Sequence, residues 1–168
     1  VPEGSWIAWP WLYDYAVAGL VRGIARLSGA ENPVPILMYV PVFWAYVTIG
    51  LVLLLTLELK LSLAYRALAC TAVALSPMTQ MLHGTGLVDH HYMEYTFVLL
   101  TVLGGMRWFS DPGNIARATF LGFVLGIATG FHNAMFILQL PVIAGVYVLW
   151  MGGHVWSPRA IGFFVASL

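Results

Sequence analysis

The residues best suited to chemistry lie in one short polar stretch, residues 84–94. It holds two carboxylates and two imidazoles within six positions, namely Asp89, His90, His91 and Glu94. Charged residues make up only 8% of the chain, and ionisable groups in so apolar a sequence usually mark a functional site. A carboxylate beside an imidazole favours Mn²⁺ or Mg²⁺, whereas zinc sites usually contain more nitrogen or sulfur ligands. We therefore interpret Asp89 and His91 as ligands of one divalent cation.

Each residue of this stretch also has a plainer reading. Asp89 could serve as the N-cap of a following helix, a role that is compatible with metal binding. Glu94 follows His91 by three residues and shares its helical face, so it is a candidate catalytic carboxylate or a group that merely faces the membrane interface. We expect His90 to point away from its neighbours and to be dispensable.

Two ligands do not complete a metal site, so further ligands must come from elsewhere. Asp14 is one candidate, although a residue at a helix start or at the interface is the commoner interpretation. His132 and Asn133 form another polar pair, for which a loop satisfied by water is again the commoner explanation.

Composition assigns the chain to the membrane proteins. Hydrophobic residues make up 61% of its 168 positions, and seven basic residues balance seven acidic ones. This balance leaves no basic surface for nucleic acid. The single Cys70 lies in an apolar run and provides neither a disulfide framework nor a thiolate metal site.

Hydrophobic patterning predicts an all-α, polytopic bundle of transmembrane helices. Residues 1–35 are interpreted as the end of an external loop that carries an interfacial helix, because Asp14, Ala18, Arg22 and Arg26 recur at steps of four. Residues 36–168 are interpreted as transmembrane helices, with the polar loop at 82–91 between two of them. The predicted spans are 36–57, 61–75, 92–108, 115–131 and 134–151, with a sixth starting near 160.

The basic residues predict the orientation of this bundle. If the spans alternate, five basic residues fall on one side, where the positive-inside rule places the cytoplasm: Lys60, Arg66, Arg107, Arg117 and Arg159. The loop that contains Asp89 then faces away from the cytoplasm of a multi-pass protein of the cell membrane. Four of the five histidines share that side, namely His83, His90, His91 and His132.

Two motifs in this order resemble the catalytic subunit of oligosaccharyltransferases, in particular the archaeal and bacterial single-subunit forms. This family belongs to the C-type fold of membrane glycosyltransferases (GT-C). The first motif is less specific, because Trp11 stands where the family usually has a second proline. The motifs read Trp9-Pro10-Trp11-Leu12-Tyr13-Asp14 and Gly86-Leu87-Val88-Asp89-His90-His91, the second followed by Glu94.

The resemblance implies transfer of a glycan from a polyprenyl phosphate or pyrophosphate carrier to the amide nitrogen of asparagine in an acceptor polypeptide. Asp89 and His91 fall on metal-binding positions of the family's second external loop, and Mn²⁺ or Mg²⁺ would be the cofactor. The lipid bilayer would bring the carrier to the site by lateral diffusion.

The resemblance also implies that the chain is a piece of a longer protein. The family's first-loop aspartate would precede Val1, and its later acidic motif and soluble domain would follow Leu168, so this piece alone is expected to be inactive. Two alternatives remain open: a related glycosyltransferase that acts on a lipid or hydroxyl acceptor, and a transporter or structural subunit whose polar groups relay protons or bind ions.

Overall fold

The computed structural model describes residues 11–152 and 156–168, and within these ranges the chain is all-helical and contains no strand. The predicted loop at residues 1–10, which includes Trp9 and Pro10 of the first motif, lies outside the described residues. A short 3₁₀ turn, Asn133–Met135, precedes α7. The helices are α1 Leu12–Ser28, α2 Val34–Glu58, α3 Leu63–Leu75, α4 Pro77–Leu82, α5 His91–Ser110, α6 Ile115–Phe131, α7 Phe136–Met151 and α8 Pro158–Ser167.

Helix α1 is amphipathic, as its sequence predicts. Tyr13, Val17 and Val21, four residues apart, are buried against the rest of the bundle. The charged stripe that includes Asp14 and Arg22 faces outward. The helix ends where Gly29 adopts a left-handed backbone (φ 69°), a conformation that glycine tolerates best.

Two segments are long and apolar enough to cross a membrane, judged by length and composition: α2, with 25 residues, and residues 133–151, which join the 3₁₀ turn to α7. At 1.5 Å per residue α2 measures roughly 37 Å, which exceeds the hydrocarbon thickness of about 30 Å. The fold class is therefore all-helical with two candidate membrane spans.

The other predicted spans form helices at the predicted places. Helix α6 has the predicted bounds, and α5 begins one residue earlier and ends two residues later than expected. The segment predicted as a span over 61–75 is shorter, because α3 has 13 residues and reaches only about 20 Å. Pro77 starts the separate helix α4 after an extended Ser76, since the residue before a proline disfavours the helical conformation.

Two apolar clusters hold the helices together. The first contains Tyr92 and joins α1, α2, α5 and α6. The second contains Trp108 and joins α5, α6, α7 and α8. Both residues have no solvent exposure.

A row of glycines on α6 allows close helix packing. A side chain at Gly122 would collide with the backbone carbonyl of Phe164 in α8, and one at Gly130 would collide with the Leu12 side chain of α1. The backbones of α6 and α8 can approach closely because this face of α6 carries no side chains.

Candidate metal centre

The loop before α5 is held to α2 by one backbone contact. Gly86 donates its amide hydrogen to the carbonyl of Met38 (2.9 Å) and adopts a positive φ of 83°, which favours glycine at this position. Further along, the amides of Leu87 and Val88 bond to the carbonyls of Gly84 and Gly86 (both 3.0 Å). These hydrogen bonds therefore hold the loop so that Asp89 lies just before the first turn of α5.

Asp89 lies between the two histidines that follow it. Its Oδ1 is 2.9 Å from Nδ1 of His90 and 2.9 Å from Nδ1 of His91. The carboxylate accepts hydrogen bonds from both the side chain and the backbone of His91. Asp89 thus caps the start of α5 in part, although His90 is the N-cap residue. The two residues predicted to bind one cation, Asp89 and His91, are thus in contact.

The electrostatics of Asp89 favour its ionised form. Burial raises the pKa of Asp89, but the hydrogen bonds from His91 and the charges of His91 and His90 outweigh it, so the pKa lies below its ordinary value. For His90, burial lowers the pKa, and the neighbouring imidazoles of His91 and His132 act in the same direction against the attraction of Asp89. A cation binds to ionised carboxylates and neutral imidazoles, and the lowered pKa values of Asp89 and His90 act in that direction.

The expectation that His90 points away from its neighbours is wrong. Its ring stacks on His91 (centroids 4.3 Å apart) and on His132 (4.6 Å), and it meets Tyr13 edge-on at 6.1 Å. His90 is the N-cap residue, with helical φ and ψ of −66° and −20°. Its side chain therefore leaves the backbone as in a helix turn, beside that of His91, rather than on an opposite side.

Glu94 faces two histidines from different parts of the chain. Its Oε1 lies 3.0 Å from Nδ1 of His132, at the end of α6, and 4.0 Å from Nε2 of His91. Oε1 and His132 Nδ1 are both buried, yet neither makes a hydrogen bond with any described residue. The two atoms are therefore close without being oriented for a hydrogen bond to each other.

An open cavity of about 360 Å³ borders the cluster. Asp14, which the sequence suggested as a further ligand, lines the same cavity as Asp89, although no contact with the cluster shows it to be a ligand. The other lining residues are Tyr13, Val88, His90, His91 and Phe131. A ligand at the surface of the bundle can thus reach Asp89, His90 and His91 directly.

Two tyrosines pack beside the cluster. Tyr13 Oη lies 3.1 Å from Tyr92 Oη, and both rings are buried. Burial raises the pKa of Tyr13, and the hydrogen bond with Tyr92 raises it further, so the phenol stays neutral. The sequence did not point to this pair, because 79 residues separate its members.

His83 takes no part in the cluster. It is 5% exposed, and its Nδ1 lies 3.1 Å from the carbonyl of Thr79, so this nitrogen donates. Nε2 then accepts from the hydroxyl of Thr48 (3.5 Å). Burial lowers the pKa of His83. Of the four histidines predicted on this side, three converge on Asp89 and Glu94, and His83 is a buried structural residue.

The donor set fits a divalent cation. Two groups of three ligand atoms, each group within 4.8 Å, occur among the described residues: Asp89 with His90 and His91, and His90 with Glu94 and His132. The separation of Asp89 Oδ1 and His91 Nδ1, 2.9 Å, is a hydrogen-bond distance, and it also matches that of adjacent ligands about a six-coordinate ion with bonds of roughly 2.1 Å. The sequence named His132 as part of a polar pair with Asn133, for which a loop satisfied by water was the commoner explanation, and it did not indicate the contact with Glu94.

Comparison of the chain with protein-family models, with curated proteins and with solved structures gave no match.

Proposed function

We propose that the chain is part of a membrane-embedded glycosyltransferase of the oligosaccharyltransferase type. Its reaction transfers a glycan from a polyprenyl phosphate or pyrophosphate carrier to asparagine of a polypeptide. The observation that carries the proposal is the meeting of Asp89 and His91 at 2.9 Å beside an open cavity that Asp14 also lines. These residues belong to the two motifs on which the resemblance rests.

In this proposal Asp89 and His91 hold Mn²⁺ or Mg²⁺. The bound ion supplies Lewis-acid stabilisation of the negative charge on the departing phosphate. Asp89 contributes the negative charge on which hard cations depend. Its lowered pKa extends the range in which that charge is present to more acidic pH.

Glu94 acts as a positioning residue in this arrangement. When His91 binds through Nδ1, its proton resides on Nε2, and metal-bound imidazoles usually donate that hydrogen to a carboxylate. Glu94 Oε1, 4.0 Å from Nε2, is the nearby carboxylate. The sequence suggested a catalytic Glu94, whereas its contacts with His91 and His132 favour orientation of the ligands.

The proposal includes a multi-pass topology with the Asp89 cavity on the extracytoplasmic side of the cell membrane. Charged groups are sorted along α5: Asp89 precedes its first residue, and Arg107 lies in its last turn. Sixteen residues of helix separate His91 from Arg107, or roughly 24 Å. This sorting supports the orientation that the basic residues predict.

The test uses the full-length protein in detergent with a polyprenyl-linked glycan and an asparagine-containing peptide. Mass spectrometry of the peptide should detect the added glycan with Mn²⁺ present and none after chelation. The same peptide with glutamine in place of asparagine is the control. Transfer to a lipid or hydroxyl acceptor alone would instead identify the related glycosyltransferase class.

A transporter or structural subunit gives a different result in the same preparation. It would transfer no glycan to any acceptor, while ion or proton flux through proteoliposomes would depend on Asp89. That combination would refute the proposed enzyme activity.

A further inference from the structure

We infer that His90, Glu94 and His132 form a second metal site, selective for a nitrogen-preferring divalent cation such as Zn²⁺. The site differs from the pair of Asp89 and His91 in its ligands and in the ion that it favours. It joins the start of α5 to the end of α6, since His90 and Glu94 come from one and His132 from the other.

The contact between Glu94 and His132 carries this inference. Oε1 and Nδ1 lie 3.0 Å apart and both are buried, but neither is hydrogen-bonded within the described part of the chain. Buried polar atoms almost always have a partner, so such a pair calls for an explanation. Two atoms that bind one ion both point at the ion rather than at each other, and their separation of 3.0 Å is then that of neighbouring ligands.

The ligand set favours zinc over the hard cations. Two imidazoles and one carboxylate are the protein ligands of a common type of catalytic zinc site, which leaves a fourth position for water. The three ligand atoms already lie within 4.8 Å of one another, whereas neighbouring ligands of tetrahedral zinc lie about 3.3 Å apart. Zinc binding would therefore draw the ligand atoms closer together.

Asp89 supplies a supporting interaction. Metal-bound imidazoles usually donate their other ring N–H to a carboxylate, which fixes the tautomer and the ring orientation. His90 Nδ1 lies 2.9 Å from Asp89 Oδ1, and this leaves Nε2 of His90 as the ligand atom. The stacking of His90 on His132 at 4.6 Å keeps the two rings side by side.

The test is zinc binding to the full-length protein, purified in detergent and stripped with a chelator. Zinc content after equilibrium dialysis gives the affinity, and cobalt provides a visible spectrum that distinguishes four-coordinate from six-coordinate binding. We expect zinc to bind the wild-type protein and cobalt to give the strong absorption of a four-coordinate site. His132→Ala should lower the zinc affinity roughly 100-fold and abolish that absorption.

Two variants separate this site from its surroundings. Asn133→Ala alters the exposed neighbour of His132 and should leave zinc binding unchanged. Glu94→Gln keeps the side-chain shape while removing its charge, and should also weaken zinc binding. It tests the site even if His132→Ala folds poorly. His91→Ala should retain zinc but bind manganese more weakly, so failure of this site is distinguishable from failure of the site at Asp89 and His91.

X-ray absorption of the zinc-loaded wild-type protein gives an independent measurement. We expect two imidazoles in the zinc environment. The inference would be overturned by absence of zinc binding, by one imidazole or none at the ion, or by zinc affinity that survives in both His132→Ala and Glu94→Gln.

Discussion

The two ends of α5 carry similar numbers of polar side chains but differ in how these side chains are satisfied. At the C-terminal end, Arg107 Nε donates to Glu58 of α2, and Arg117 of α6 donates to the carbonyl of Arg107 (2.8 Å) and to Ser110 (3.3 Å). At the N-terminal end, three imidazoles stack beside two carboxylates, and two buried atoms of the described cluster lack hydrogen bonds.

The difference separates a structural polar cluster from a candidate functional one. Around Arg107 the donors described above are directed at oxygens, so the arrangement needs no additional ligand. The Asp89 carboxylate is paired with the two histidines that follow it, but Glu94 Oε1 and His132 Nδ1 beside it lie close together without hydrogen bonds within the described residues. Such groups in a native protein require an explanation. Protonation of all three stacked imidazoles would place positive charges within about 6 Å of each other, a repulsive arrangement. A bound cation would account for the convergence of these ligands.

The largest effect should follow from Asp89→Ala, measured as manganese-dependent glycan transfer by the full-length protein. Loss of the negative ligand should reduce turnover roughly 100-fold or more. His91→Ala should have a smaller effect, because water can take the place of a neutral ligand. Although the sequence suggested a dispensable His90, its contact with Asp89 leads us to expect a loss of about tenfold in His90→Ala.

The matched control is Glu58→Gln at the other end of the bundle, which should retain wild-type turnover. Each variant should elute from size-exclusion chromatography as the wild-type protein does. Wild-type manganese dependence in Asp89→Ala, or an equal loss in Glu58→Gln, would remove the distinction between the two ends.

Membrane sidedness gives the next largest contrast. In a Cys70→Ser background, Thr85→Cys should react with an impermeant maleimide added outside intact cells, and Gly113→Cys should react only after permeabilisation. Both positions are exposed. Gly113 is preferable to Asn114, whose side chain accepts from the amide of Arg117 and caps α6 (3.2 Å). Labelling of Gly113→Cys alone in intact cells would reverse the proposed topology.

A moderate effect is expected from acidification, through His83. Burial lowers the pKa of His83 in the folded protein, whereas the unfolded chain binds a proton below about pH 6.5. The unfolded state therefore gains stability as pH falls from 6.5 to 5, by at most about 1.4 kcal/mol per pH unit for this one group. The groups around the ring are uncharged: Thr48, Thr79 and Tyr92, whose ring lies 6.0 Å away.

The measurement is the thermal unfolding midpoint in detergent between pH 8 and pH 5. His83→Gln should flatten the decline seen in the wild-type protein, and Thr85→Ala, an exposed change in the same loop, should not. An unchanged slope in His83→Gln would show that other groups cause the acid sensitivity.

The smallest effect belongs to the ion pair of Glu58 and Arg107. Their side chains are 34% and 40% exposed, so a double-mutant cycle with Glu58→Gln and Arg107→Gln should give a coupling energy of about 0.3–1 kcal/mol. Added salt should reduce it. A coupling energy that is large and insensitive to salt would indicate a buried network instead of a surface pair.

Local patterns in the sequence predicted the helices better than the site. The charged stripe of α1 and the uncharged run of α6 follow from periodicity and composition, and both helices lie where they were expected. Helix α3 ends at Leu75, the predicted end of the span over 61–75, but it begins two residues later than expected, at Leu63.

The candidate site was predictable only within one segment of the chain. Asp89 and His91 are near neighbours, so their meeting follows from the turn that joins them. The contact of Glu94 with His132 depends on how α5 packs against α6, and that of Tyr13 with Tyr92 depends on where α1 lies. Such contacts between distant segments are set by packing, which spacing within a motif does not reveal.

The glycine row of α6 bears on how much sequence variation this bundle tolerates. Gly122 faces the α8 backbone, and Gly130 faces Leu12, next to the Tyr13 that supports the cluster. A methyl group at Gly122, in the middle of α6, would meet the backbone of α8, whereas one at Gly130, near the end of α6, would collide only with the outer atoms of the Leu12 side chain. Substitution at Gly122 would therefore displace α8, whereas substitution at Gly130 can be accommodated by rotation of the Leu12 side chain. The distance at which α8 packs on α6 thus depends on one hydrogen atom in place of a side chain.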